Sequence, residues 1–315
     1  MNQPIFLTPI FQERIWGGDN LRKLYHYEIP SDRTGECWAI SAHPNGQSVV
    51  QSGIYKGKSL SQLWNEYPEL FGHFESENFP LLTKILDANE DLSVQVHPDD
   101  SYARKFENGE LGKTECWYII DCAEGAEIIF GHHAQTREEF MQMIEDNQWD
   151  KLLKRNEIKP GDFFYVPSGT IHALCKGTIV LETQQSSDTT YRVYDYERID
   201  KKGLKRDLHL DKAIDVTRVP HQGVKFEPEI TELEGSLFTK FIEEKYFAVY
   251  KWDVHRRLEL KQDHHFMLVS VINGDAELKV GEDIYSLTKG MHFILPYQTG
   301  EFIIEGQANF IVSHP

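Results

Sequence analysis

Between Gly161 and His172 the chain reads Gly-Asp-Phe-Phe-Tyr-Val-Pro-Ser-Gly-Thr-Ile-His. A glycine, a proline, a second glycine and a histidine stand at fixed spacing, and each has its own mechanical task. Lys159-Pro160-Gly161-Asp162 is a turn that opens a strand, and Phe163 to Val166 is a short aromatic and apolar run with strand propensity. Pro167 and Gly169 end that strand with a tight turn. The turn delivers His172 to the start of the next strand, where its imidazole can point into a small metal-holding β-barrel. A lone histidine on an apolar strand is ordinarily a hydrogen-bonded core residue. The spacing is what turns this one into a candidate ligand.

A metal needs further ligands, and an upstream strand supplies them. Leu92, Val94 and Val96 alternate with Ser93, Gln95 and His97 before Pro98 ends the run. Three polar side chains on an inner strand face need a reason, because an unpaired buried polar group costs about 1–3 kcal/mol. Further on, Gly112 to Ile120 opens the next apolar strand, with Lys113 and Glu115 on one face by two-residue alternation. His97, Glu115 and His172 together offer two imidazoles and one carboxylate. That set leaves coordination positions open, which suits a catalytic zinc better than a closed structural one.

The Gly161–His172 stretch resembles the second conserved motif of the cupin superfamily. Ser-Val-Gln-Val-His-Pro-Asp from Ser93, Gly-Lys-Thr-Glu-Cys-Trp from Gly112 and Pro-Ser-Gly-Thr-Ile-His-Ala-Leu from Pro167 resemble the type I mannose-6-phosphate isomerases, most of all their compact bacterial form. Phe11 to Gly18, Gly35 to Ser41, Glu182 and the run Ser187 to Arg192 agree with the same family. The resemblance covers roughly the first 215 residues and is weak beyond them. It implies a zinc enzyme, with one ion per chain, that interconverts D-mannose 6-phosphate and D-fructose 6-phosphate. It also implies zinc ligation by His97, Glu115 and His172, with Gln95 as the fourth ligand of the longer eukaryotic relatives. Arg192 stands at the place of an active-site arginine, and Ser93 and Lys113 at the places of substrate-contacting groups. The longer members carry a helical insertion for which this chain has no room.

An aldose–ketose isomerisation moves a proton between C2 and C1 through an enediol-like species, so it needs a base near both carbons and stabilisation of a developing oxyanion. Glu182 and a metal-bound water are the candidates for the base. Arg192, permanently charged and planar, suits the oxyanion or the orientation of the open-chain sugar; Asp188, Asp195 and Glu197 nearby leave an ordinary ion pair open for it. Lys113 suits a phosphate or a hydroxyl, and Gln95 could equally satisfy a backbone group. Two other functions fit parts of the pattern. An iron cupin oxygenase also uses two histidines and a carboxylate, but it usually carries His-x-His, where this chain has Gln95-x-His97. A non-catalytic sugar-binding cupin would need neither Lys113 nor Arg192.

The net charge of −17 over 315 residues argues against nucleic acid or an anionic membrane surface as a partner. A phosphorylated sugar must therefore be drawn in by local cations. No apolar run approaches the about 20 residues of a membrane helix, and the N-terminus has no basic, apolar leader pattern. Cys37, Cys116, Cys122 and Cys175 lack Cys-x-x-Cys spacing and read as thiols of a cytoplasmic protein.

The organisation is mainly β: two cupin-like (jelly-roll) barrels with a few covering helices. Helices are expected within Leu60 to Phe71, capped by Ser59 or Ser61; from Asp99 to Asn108; from Thr136 to Arg155; and from Leu208 to Asp215. Lys289 to Pro296 echoes Pro160 to Pro167 at a constant offset of 129 residues, which sets Glu301 at the place of His172 and Gln298 at that of Gly169. Upstream, Asn273-Gly274 matches Glu124-Gly125 at an offset of 149, the extra 20 residues being the length of the Thr136 to Arg155 segment. The C-terminal module is thus expected to keep the turns without the ligands. His264-His265 does not read as a metal site, since adjacent strand residues face opposite ways. The boundary is placed between Val219 and Pro228, giving a catalytic half of residues 1–222 and a degenerate module of residues 223–315.

Overall fold

In the computed structural model, which describes residues 3–199, 203–224 and 226–315, the Gly161–His172 stretch takes the shape its spacing predicts. Gly161 and Gly169 both adopt positive φ, 92° and 83°. A Cβ on Gly169 would lie 2.8 Å from the Val216 carbonyl oxygen. The strand Phe163–Val166 pairs antiparallel with Glu115–Cys122, Val166 opposite Glu115. His172 opens the strand His172–Leu174, opposite Gln95 on one side and Phe130 on the other.

The N-terminal half is built from two sheets. One runs Phe163–Val166, Glu115–Cys122, Thr178–Gln185, Leu81–Ala88, Thr34–Ile40 and Ile10–Gly18; the other runs Tyr191–Tyr194, Val94–Val96, His172–Leu174, Glu127–His132 and Leu153–Glu157. Residues directly opposite on neighbouring strands share a face. In the first sheet this aligns Trp117, Glu182, Lys84 and Trp38 in one row across four strands. In the second it aligns Arg192, Gln95 and His172.

The C-terminal module forms a ten-stranded sheet whose backbone path includes Ser236–Glu243, Ala248–Val254, Gly300–His314, Met267–Val280 and His292–Leu295. Two N-terminal strands complete it. Ile5–Thr8 pairs with His292–Leu295, and Val49–Val50 pairs with Ile5–Thr8. The two halves therefore share a sheet. Gly290 repeats the positive φ of Gly161, at 88°, and Gln298 that of Gly169, at 61°. Glu301, at the place of His172, is exposed on the strand Gly300–His314. The interior is apolar, filled by Trp252, Phe293, Phe302 and Phe310. The expected boundary region carries neither helix nor strand over its described residues; Lys225, within it, lies outside them.

The helices follow their caps. Ser59, not Ser61, caps Leu60–Glu66 in a capping box with Gln62, and a 3₁₀ turn, Pro68–Phe71, continues from it. Asp99 caps Asp100–Phe106 by accepting the Tyr102 N–H at 2.9 Å. The single helix expected from Thr136 to Arg155 is a correction. Thr136 does cap Arg137–Glu145, but the chain turns at Asn147, φ 54°, makes one short helix, Trp149–Leu152, and becomes the strand Leu153–Glu157. Pairing with Glu127–His132 decides the matter, since Arg155 lies opposite Ile129. The helices are thus inserted into a hairpin. Its counterpart in the C-terminal module, Met267–Val280 with Asp283–Thr288, closes through Gly281-Glu282 alone. The last expected helix is Leu210–Val216. His264 and His265 sit in a bend, with rings against His314 and Phe74 respectively. No helix among the described residues is long and apolar enough to cross a membrane.

Candidate metal centre and active site

The two facing sheets bring His97, Glu115 and His172 together. One ligand atom from each lies within 4.8 Å of the others, and all three side chains are buried. His97 Nδ1–H donates to the Thr189 carbonyl and His172 Nδ1–H to the Thr170 carbonyl, each at 2.8 Å. Both imidazoles therefore present an Nε2 lone pair inward, the tautomer a metal requires. Those nitrogens face Glu115 at 3.4 and 3.2 Å. Glu115 Oε1 is buried without a hydrogen-bond partner. Lys113 answers the His97 lone pair, but the His172 lone pair and the orphaned Glu115 Oε1 repel unless a cation stands between them, so the donor set fits a metal ion.

The electrostatics point the same way. Burial, reinforced by Lys113, pushes the His97 imidazole down to about 3, and burial also lowers His172. Burial alone would raise Glu115, but the Lys113 ammonium holds it well below the usual carboxylate range. Neutral imidazoles beside an ionised carboxylate are the protonation states of a ready ligand set.

Lys113, Gln95, Ser93, Glu182 and Arg192, named from the sequence, all line one cavity of 480 Å³. Lys113 Nζ donates to Glu115 Oε2 and lies 3.1 Å from His97 Nε2. It therefore sits among the candidate metal ligands His97 and Glu115. The Gln95 amide nitrogen lies 3.3 Å from His172 Nε2, so its carbonyl would reach a metal only with the amide rotated. Glu182 Oε2 accepts the Trp117 indole N–H at 2.9 Å, and burial followed by Glu115 raises its pKa. Arg192 makes no ion pair among the described residues. Its Nη1 donates to the Asp207 carbonyl at 3.1 Å, its Nε is buried without a partner, and Asp195 is taken by Arg198 and Arg206.

The structure adds residues that the sequence reading passed over. Lys84, opposite Glu182 in the cross-strand row, places Nζ 3.7 Å from Glu182 Oε1 and 3.9 Å from Glu36 Oε2. Glu36 accepts the Trp38 indole N–H at 2.6 Å and two hydrogen bonds from Arg14 at 2.8 and 3.1 Å. A chain of alternating charge results: Arg14, Glu36, Lys84, Glu182, Lys113, Glu115. Its available signal was a lysine at the centre of the apolar run Leu-Leu-Thr-Lys-Ile-Leu.

Family comparisons agree with this geometry. Residues 5–120 match the model of the phosphomannose isomerase type I catalytic domain, and residues 238–315 that of the mannose-6-phosphate isomerase cupin domain. The chain is 57% identical to the mannose-6-phosphate isomerase ManA of Bacillus subtilis over 99% of both chains. It is 52% identical to the mannose-6-phosphate isomerase of Streptococcus mutans over 100% of this chain and 99% of that one. A crystal structure of the mannose 6-phosphate isomerase from Bacillus subtilis superimposes with a TM-score of 0.98 at 55% identity, covering all of both chains. The chain belongs to the type I mannose-6-phosphate isomerase family, an enzyme family of cupin fold.

Proposed function

We propose that this enzyme interconverts D-mannose 6-phosphate and D-fructose 6-phosphate with one zinc ion, held by His97, Glu115 and His172 and, after rotation of its amide, Gln95. The observation that carries the reading is the convergence of two backbone-tied imidazoles and an orphaned carboxylate oxygen beside a cavity walled by cations and Glu182. Zinc would supply Lewis acidity and a template for the sugar oxygens. Glu182 would take the proton from C2 of the open-chain aldose and return it to C1. Its raised pKa keeps it a base strong enough for that exchange near neutral pH. Lys113, 4.0 Å from Glu182 Oε1, would offset the negative charge that develops as the enediol forms. Arg14 and Arg206 are already paired with carboxylates, which leaves the unpaired donors of Arg192, with Ser93, for the substrate's anionic end.

In this reading residues 1–222 form the catalytic half, residues 223–315 contribute no ligand, and the free cysteines fit the cytoplasm. The test is conversion of mannose 6-phosphate by purified protein before chelation, after it and with zinc restored, with His172→Ala alongside. Activity lost on chelation, regained with zinc and absent in the variant is expected. A folded, zinc-loaded protein without conversion would overturn the isomerase reading.

A further inference from the structure

The C-terminal module meets the catalytic half through two kinds of contact. One is apolar: Phe241 stacks on Phe163 at 4.6 Å between centroids, and Phe247 meets Tyr165 edge-on at 6.0 Å. The other is polar. Tyr246 lies in the turn between the strands Ser236–Glu243 and Ala248–Val254, and its hydroxyl donates to Asp100 Oδ2 at 3.0 Å. Lys245 Nζ donates to that hydroxyl oxygen at 3.1 Å.

Asp100 is a hub. Its Oδ1 accepts the Gly112 N–H and the Gln185 side-chain amide, both at 2.9 Å. Gln185 Oε1 in turn accepts the Thr114 N–H at 2.9 Å, and the Gln185 N–H donates to the Thr114 carbonyl at 3.0 Å. The Lys113 N–H goes to the Pro98 carbonyl at 3.0 Å. Residues 112–114 have neither helix nor strand, yet each of their amides is held, and two of the three lead back to Asp100. The seat is close: a Cβ on Gly112 would stand 2.5 Å from the Asp99–Asp100 backbone. From this segment Lys113 and Glu115 enter the metal centre.

We propose that Tyr246 is a positioning residue for the catalytic half. The outer torsion of an aspartate is broad, and bonds to Oδ1 alone leave the carboxylate free to swing. The Tyr246 hydroxyl on Oδ2 fixes its plane, which fixes Gly112 and Gln185, and through them Lys113 and Glu115. The C-terminal module thereby acts on turnover without placing a group in the cavity. Misplacing a reacting group by about 1 Å can cost roughly a hundredfold in rate, so one distant hydrogen bond has a measurable effect. The proposal rests on the isomerase reading only where activity is the readout.

The test is Tyr246→Phe, which removes one oxygen and keeps the ring packing. Amide exchange at residues 112–114 should quicken about three- to tenfold, the weight of one hydrogen bond. Zinc affinity, read by competition with a chelator, and kcat should fall by a similar factor. KM should move less, and the melting temperature of the zinc-free protein should hold. Asp100→Asn should lose more, and adding Tyr246→Phe to it should cost little further, since both changes cut one path. Unchanged exchange at residues 112–114, or full additivity in the double variant, would overturn the proposal. Should the wild-type protein convert no sugar, the isomerase reading falls while amide exchange and zinc competition still decide this one.

Discussion

The two halves of the chain fill a strand-built interior in opposite ways. The C-terminal module closes its interior with Trp252, Phe293, Phe302 and Phe310, all fully buried. The catalytic half keeps its interior open with charge, setting Glu36, Lys84, Lys113, Glu115 and Glu182 on buried positions of otherwise apolar segments. Both begin the motif strand after a glycine of positive φ, Gly161 and Gly290. The turns are therefore separable from what they enclose. An aromatic interior needs contact alone, whereas a charged one needs a counter-ion at every step. The chain from Arg14 to Glu115 meets that need, with each charge within 4.0 Å of its opposite. Buried charges arranged in this way add little to stability and are kept for what they do.

The contrast breaks most sharply at Glu182. Glu182→Gln keeps the shape and can still accept the Trp117 indole N–H, but it removes the proposed base. A fall in kcat of about a hundred- to ten-thousandfold is expected, with zinc content retained and a loss of stability of about 3 kcal/mol, because Lys84 and Lys113 lose a shared counter-ion. Steady-state kinetics in both directions would show it. Turnover within tenfold of wild type would strike Glu182 from the mechanism.

The reverse pattern is expected in the C-terminal module. Phe310→Ala leaves a hole among Trp252, Phe293 and Phe302 and should cost about 3–5 kcal/mol in urea unfolding. Turnover per folded molecule should stay close to wild type. Glu36→Gln tests the charged interior by the same measurement. It leaves Lys84 and Arg14 without their shared counter-ion, for a loss of about 3 kcal/mol, and it should lower kcat as well because Lys84 also faces Glu182. A stability loss without any kinetic effect would separate Glu36 from the site.

The candidate ligands were legible in the sequence because local rules place them. Turn chemistry sets His172, Pro98 ends the run immediately after His97, and two-residue alternation puts Lys113 beside Glu115. Lys84 and Glu36 escaped because their partners are cross-strand neighbours, and a single sequence does not display register. The strand Ile5–Thr8 escaped for the same reason, its partner being Ile294 and its neighbours at the far end of the chain. Phe140, Met143, Ile144 and Leu152 keep a roughly helical spacing across the break at Asn147, so the local pattern alone reads as continuous helix. Pairing of Leu153–Glu157 with Glu127–His132, a tertiary contact, overrode that local period.

Each half also buries an imidazole that burial pushes down to about 3, and the two should respond differently to acid. His97 faces the ligand site. His292, in the C-terminal module, is satisfied within the protein. Tyr27 spends its hydrogen on the Gly290 carbonyl at 2.6 Å, so His292 Nε2–H donates to the Tyr27 oxygen at 2.8 Å and Nδ1 accepts from Ser270 at 2.9 Å. The folded pKa lies below that of an unfolded histidine, about 6.5. Between the two values the unfolded chain binds a proton that the folded chain refuses. Stability from this group is therefore complete above about pH 6.5 and is lost toward pH 3, at about 1.4 kcal/mol per pH unit. The zinc-loaded protein and its His292→Gln variant, unfolded in urea from pH 7 to pH 4.5, should differ in slope by about that one proton. The variant should be the less stable at pH 7 and the less sensitive to acid. Identical slopes would mean that His292 takes up its proton in the folded state, and that its buried site beside Tyr27 admits a charge after all.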